Sequence, residues 1–105
     1  MRETKHRVTL RVKAGPTWKS GPPEDQPDWH AHADFVDALI AEGRFVMGGP
    51  FSDFSGTLVL FEGVTAYEVR TIMEDDPFVK NGVFLVDDVR DWTVYVDELT
   101  ASPTA

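Results

Sequence analysis

Cysteine is absent from this chain of 105 residues, which removes disulfides, thiolate nucleophiles and cysteine-based metal or cluster sites. No run is long and apolar enough to span a bilayer. The start, Met1-Arg2-Glu3-Thr4-Lys5-His6, lacks the apolar core of a secretory signal, so a cytoplasmic location is expected. Basic residues are scarce: 10 Lys and Arg stand against 18 Asp and Glu, a net charge of −8. A phosphate backbone needs a basic stripe that is missing here, so nucleic acid is not expected as a partner, and neither is an anionic membrane surface.

What remains is globular in character, with 42% hydrophobic and 11% aromatic residues. A domain of this length buries roughly 65% of its unfolded surface, so a partner subunit would add to its stability. One domain is expected over residues 1–99, followed by an unstructured tail at 100–105.

Val8 to Lys13 alternates apolar and polar, the pattern of a strand with one buried face. Residues 14–28 then form a long connection with Pro16, Pro22, Pro23 and Pro27. Trp18 lies inside it, either as a lid over a pocket or as a side chain pinning the loop to the core. Asp28 is placed to cap a helix over 29–42 that Gly43 ends. Arg44 to Gly48 reads as a short strand, and Gly49-Pro50 opens a turn running to Gly56. Thr57 to Glu62 is apolar on both faces, so both sides of that strand call for cover. Thr65 and Glu68 form a capping box, with Val64 and Val69 as a hydrophobic staple, predicting a helix over 66–76. Val83 to Val96 completes the chain as one long strand or a bent pair. Strand, helix, strand, strand, helix, strand is the order of a ferredoxin-like α+β sandwich.

The candidate chemistry lies at Asp76-Pro77-Phe78. Proline pushes the residue before it out of the helical region, fixing Asp76 at a helix break where a carboxylate is poorly placed against the dipole. The alternative is that Asp76 caps a short turn beginning at Pro77 and ending at Asn81-Gly82. His32 falls with Phe35, Val36 and Leu39 on the edge of the apolar helix stripe, whereas His30 groups with Asp34 and Asp37 on the polar side. In the expected topology His32, Asp76, Gly49-Pro50 and the Trp18 loop converge on one rim. There His32 would move a proton and Asp76 would orient the ring. Gly49 and Pro50 would shape the pocket, with Ser52 and Ser55 offering hydrogen bonds. Arg7, Arg11 and Lys13 on the polar face of the first strand would attract an anionic substrate. A metal site from His30, His32 and Asp34 is poor, because residues two apart on a helix do not share a face.

His32, Glu42-Gly43-Arg44, Gly48-Gly49-Pro50 and Asp76-Pro77-Phe78-Val79-Lys80-Asn81-Gly82-Val83 together resemble the YCII-related family, over about Trp29 to Trp92. The resemblance implies a dimeric α+β barrel in which two ferredoxin-like sheets pack face to face, and a His–Asp active-site pair matching His32 and Asp76. Many members carry an arginine three residues before the histidine. Here that position is Trp29, so a substrate role for that arginine does not transfer. Relatives of similar fold act on ring compounds, in dehydrochlorination or lactone isomerisation. The expectation is a cofactor-independent, homodimeric acid–base enzyme for a small anionic or aromatic molecule. The rival expectation is a dimer that binds a metabolite or a partner through the same rim without turnover.

Overall fold

The structure, a computed structural model, describes residues 4–99. The tail expected at 100–105 lies outside the described residues. The elements are β1 (Lys5–Ala14), a 3-10 turn (Pro23–Asp25), α1 (Trp29–Ala41), β2 (Phe45–Pro50), β3 (Thr57–Phe61), α2 (Ala66–Met73), α3 (Pro77–Lys80) and β4 (Phe84–Val94). The four strands form one antiparallel sheet in the order β2-β3-β1-β4, the ferredoxin-like arrangement.

The alternation of β1 sets the layering. Val8, Leu10 and Val12 are buried and join Val59 and Phe61 of β3 and Val89 of β4 in the core. The helices supply Leu39, Val69, Met73 and Phe78 from that side. Arg7, Arg11 and Lys13 therefore lie on the opposite, outer face, which the helices leave open. Met47, Leu58, Leu85 and Trp92 on that outer side are each at least 40% exposed. β3 is thus apolar on two faces, and the helices cover one.

The capping box forms as its sequence predicts: Glu68 N donates to Thr65 Oγ1 at 3.1 Å, and Thr65 N donates to Glu68 Oε1 at 3.4 Å. Other boundaries differ for physical reasons. Gly49 and Pro50 do not open the turn. They are the last residues of β2, in register with Leu58 and Thr57, and an edge strand tolerates the N–H that proline lacks. α2 stops at Met73 rather than 76. Asp76, in extended conformation before Pro77, starts α3 instead of ending α2, so the capping alternative describes its backbone. The final strand is single, with a register shift opposite Arg11 and Val12 that leaves Asp87 as the extra residue of a bulge. No helix among the described residues is long and apolar enough to cross a membrane.

Candidate active site

Pro77 places Asp76 by excluding the helical conformation at the preceding residue, and the free N–H groups of α3 then hold the carboxylate. Phe78 N donates to Asp76 Oδ1 at 2.9 Å. The same oxygen lies 2.8 Å from His32 Nδ1. Because Oδ1 already acts as an acceptor, the imidazole is assigned as the donor at Nδ1. Nε2 has no protein partner among the described residues. The Asp76 side chain is 1% exposed and that of His32 13%, so the pair sits at the boundary between core and cavity.

Three aromatic side chains fix the imidazole plane. Phe78 stacks on it with centroids 4.0 Å apart and planes 4° from parallel. Phe84 meets it edge-on at 5.7 Å, and Trp29 lies tilted at 5.8 Å. The helix periodicity that put His32 at the edge of the α1 stripe has a direct structural counterpart: Leu39 is buried, Phe35 packs on the core, and His30 is exposed.

Between α1 and the inner face of the sheet lies a cavity of about 350 Å³, within the usual range for small-molecule sites. His32 and Asp76 line it, with Gly49 and Pro50 at the end of β2. Trp29, Val36, Phe45, Val59 and Phe84 make most of its wall apolar. The tight backbone position is Gly48: a Cβ there would stand 2.6 Å from Phe45 Cζ, whereas one at Gly49 meets nothing within 4 Å.

The structure does not bring the other candidates to this cavity. Arg11 is on the outer sheet face, its Nε 2.9 Å from Asp87 Oδ2, with Lys13 at 3.7 Å from the same carboxylate. Arg7 pairs with Glu62 at 3.0 Å. The expected anion-attracting strip is therefore neutralised by acid partners and faces away from the helices. Ser52 and Ser55 are exposed in the hairpin tip at 51–56. Ser55 serves Asp53 instead: its side chain and its N–H, 2.9 Å from Oδ1, hold that carboxyl below its ordinary range.

Trp18 stacks on Phe84 at 5.7 Å and 18°, pinning the loop to the core away from the main cavity. The residue that organises this loop is Gln26, which composition did not single out. It is 4% exposed. Its Oε1 accepts from Lys19 N at 2.7 Å, and its Nε2 donates to Lys19 O at 2.6 Å and Pro22 O at 3.2 Å. Thr17 Oγ1 donates to Asn81 O at 2.8 Å. So braced, the loop presents Pro23 and Glu24 as part of the cavity wall. Asp28 precedes α1 at φ 68° without a side-chain cap. Its carboxylate accepts from Asn81 Nδ2 at 2.8 Å instead, tying the start of α1 to the end of α3.

Among known proteins, the uncharacterised protein YjpA of Bacillus subtilis strain 168 is 41% identical over 51 residues, 49% of this chain and 60% of that protein. The chain thus matches less than two thirds of that relative's length. The structure of 5-chloro-2-hydroxyhydroquinone dehydrochlorinase from Burkholderia phenoliruptrix AC1100, in complex with 2,5-dihydroxybenzoquinone, superposes with a TM-score of 0.59 at 24% identity. That superposition covers 81% of this chain and 92% of the other. At such identity the likeness is one of fold. The profile of the YCII-related domain matches residues 8–93, and the chain belongs to that family.

Proposed function

We propose that the chain is a cofactor-independent acid–base enzyme acting on a small ring compound, with His32 as the proton carrier and Asp76 as its positioning partner. One observation carries the reading: an imidazole anchored at Nδ1 by a buried carboxylate, with Nε2 unpartnered, in the wall of an apolar cavity. Nε2 takes a proton from a ring carbon or hydroxyl, and the electron pair left behind forms a new double bond. In an elimination, a leaving group such as halide departs with its bonding electrons. In an isomerisation, the proton returns to a different carbon. Neither route needs an external oxidant or reductant, and Asp76 steadies the imidazolium formed in between. The dehydrochlorinase that shares the fold was solved with a ring compound, which supports this substrate class.

The outer sheet face supports a homodimer. Its apolar side chains lie among charges that have opposite partners, Arg7 with Glu62, Arg11 and Lys13 with Asp87, and Arg90 with Asp88, which lowers the cost of covering it. Arg11 then belongs to an interface rather than to substrate binding. Sedimentation equilibrium at micromolar concentration is expected to give twice the chain mass; a monomer would remove this part of the reading.

The test of chemistry is turnover of hydroxylated and halogenated rings, followed by chromatography. His32→Gln should lower kcat by about 10²–10⁴-fold. An unaltered rate in a folded variant would refute the assignment. A non-catalytic binding protein is the competing reading, favoured by the bond from Phe78 N, which gives Asp76 a structural task of its own. It predicts ligand-dependent thermal shifts and no turnover by the parent protein.

A further inference from the structure

The sheet side of the cavity beside His32 is apolar with one exception. Leu10, Val12, Val59 and Phe61 line it from the inner face, and so does Thr57. Alternation along β3 puts Thr57 on the same face as Val59 and Phe61, and the register sets it opposite Val12 of β1 and Pro50 of β2. The side chains of Val12 and Pro50 offer its hydroxyl neither donor nor acceptor. Thr57 Oγ1 makes no hydrogen bond among the described residues. It is also not among the buried atoms left without a partner, so it retains accessible surface. Threonine favours strands on either face. On an inner face, however, valine fills the same shape and buries more apolar surface. A hydroxyl kept there without a protein partner, in the wall of a concave site, is a contact point for a ligand.

The cavity thus has polar groups on two walls. His32 comes from α1, and its Nε2 accepts because Nδ1 donates to Asp76. Thr57 comes from the sheet, and its hydroxyl can donate or accept. Trp29, Phe45 and Phe84 of the same lining offer flat surfaces to a ring. A ring lying between helix and sheet presents one position to His32 and another to Thr57. Hydrogen or halogen at the second position displaces water from the Thr57 hydroxyl without replacing its bond, and a site of that kind discriminates against such a ligand.

We propose that Thr57 is a specificity-determining residue of the cavity, its hydroxyl bonding a hydroxyl or carbonyl oxygen on the ring, remote from the position at which His32 acts. The proposal rests on the acid–base reading of His32 and adds a second anchor, on the opposite wall, for the same ligand.

Titration calorimetry under argon with hydroquinone, resorcinol, phenol and 4-chlorophenol tests it on the parent, Thr57→Val and Thr57→Ser. At least one of the two diphenols is expected to bind the parent about five- to tenfold more tightly than phenol. Thr57→Val keeps the branched shape and removes only the hydroxyl, so it is expected to fold, which a thermal melt checks. It should bring the diphenols within about twofold of phenol and bind 4-chlorophenol at least as well as the parent does. Thr57→Ser restores the hydroxyl and should restore the preference. Equal binding of phenol and both diphenols by the parent, a preference that survives Thr57→Val, its loss in Thr57→Ser as well, or no binding of any probe at millimolar concentration would overturn the proposal. The two readings fail separately. A parent without turnover whose diphenol preference depends on Thr57 removes only the enzyme. Turnover with a kcat/KM that Thr57→Val leaves unchanged removes only the second anchor.

Discussion

Replacing Asp76 with asparagine keeps the shape of the side chain and removes its charge, which isolates what the carboxylate contributes. In the parent, Oδ1 accepts two hydrogen bonds, from His32 Nδ1 at 2.8 Å and from Phe78 N at 2.9 Å, while Oδ2 is buried without a partner. An asparagine that keeps both bonds at its carbonyl must put its NH₂ where Oδ2 was, leaving two donors buried and unsatisfied. That costs about 1–3 kcal/mol. The two retained bonds lose the charge assistance of the carboxylate, about 1 kcal/mol together. Rotating the amide instead points NH₂ at the Phe78 N–H, breaking the cap at a cost of about 1 kcal/mol and opposing two donors. Either rotamer leads to a loss near 3 kcal/mol, equivalent to a fall in Tm of about 12–24 °C for a domain of this size. Thermal melts followed by far-ultraviolet circular dichroism, with urea titrations to check that m is unchanged, measure it. The competing term is relief of a buried charge with one idle oxygen, and it acts in the opposite direction. A variant melting within a few degrees of the parent, or above it, would show that this relief dominates and that the pair is not held by the bonds described.

Three further perturbations separate the parts of the site. Gly48→Ala drives a Cβ to 2.6 Å from Phe45 Cζ on the inner face, so it should destabilise by about 1–3 kcal/mol; equal stability by urea titration would mean that Phe45 is free to move. Gly49→Ala, one residue on and pointing into open space, should leave monomer stability within about 0.5 kcal/mol, and a larger loss would place that position against something other than solvent. Gln26→Leu strips the partners from Lys19 N, Lys19 O and Pro22 O at once. It should cost about 2–4 kcal/mol and speed amide exchange in the loop at 15–28, whereas unchanged exchange would show that Trp18 alone holds it.

What could be read from residues alone followed the range of the interactions. The β1 alternation and the Thr65–Glu68 capping box are local patterns, and both elements appear where those patterns put them. The proline-bearing loop had no such pattern, because Gln26 and the Thr17 and Asp28 contacts to Asn81 act across turns and between distant segments. For Arg11 the necessary fact was already present in the sequence. A side chain on the polar face of a central strand cannot reach a cavity built on the apolar face, since consecutive residues point to opposite sides. The same parity rule separates Gly48 from Gly49, but applying it required the β2–β3 register.

Asp76 shows why a structural and a functional role need not compete. Helical periodicity put it on the α2 stripe, and α2 in fact ends three residues earlier. Pro77 nonetheless returns the side chain to the interior as the cap of α3, where one oxygen serves both the backbone of Phe78 and the ring of His32. The cap makes the carboxylate rigid, and a rigid carboxylate makes a rigid imidazole, with the Phe78 ring that follows the cap stacked on it. The two ring nitrogens of His32 are used unequally: Nδ1 is bonded to the buried carboxylate, and Nε2, which is not among the buried atoms left without a partner, retains accessible surface. Nδ1 is held, Nε2 is free of protein partners among the described residues, and His32 lines an apolar cavity of about 350 Å³. That asymmetry is what the proposed proton transfer draws on, and the His32→Gln rate is the measurement that separates it from packing.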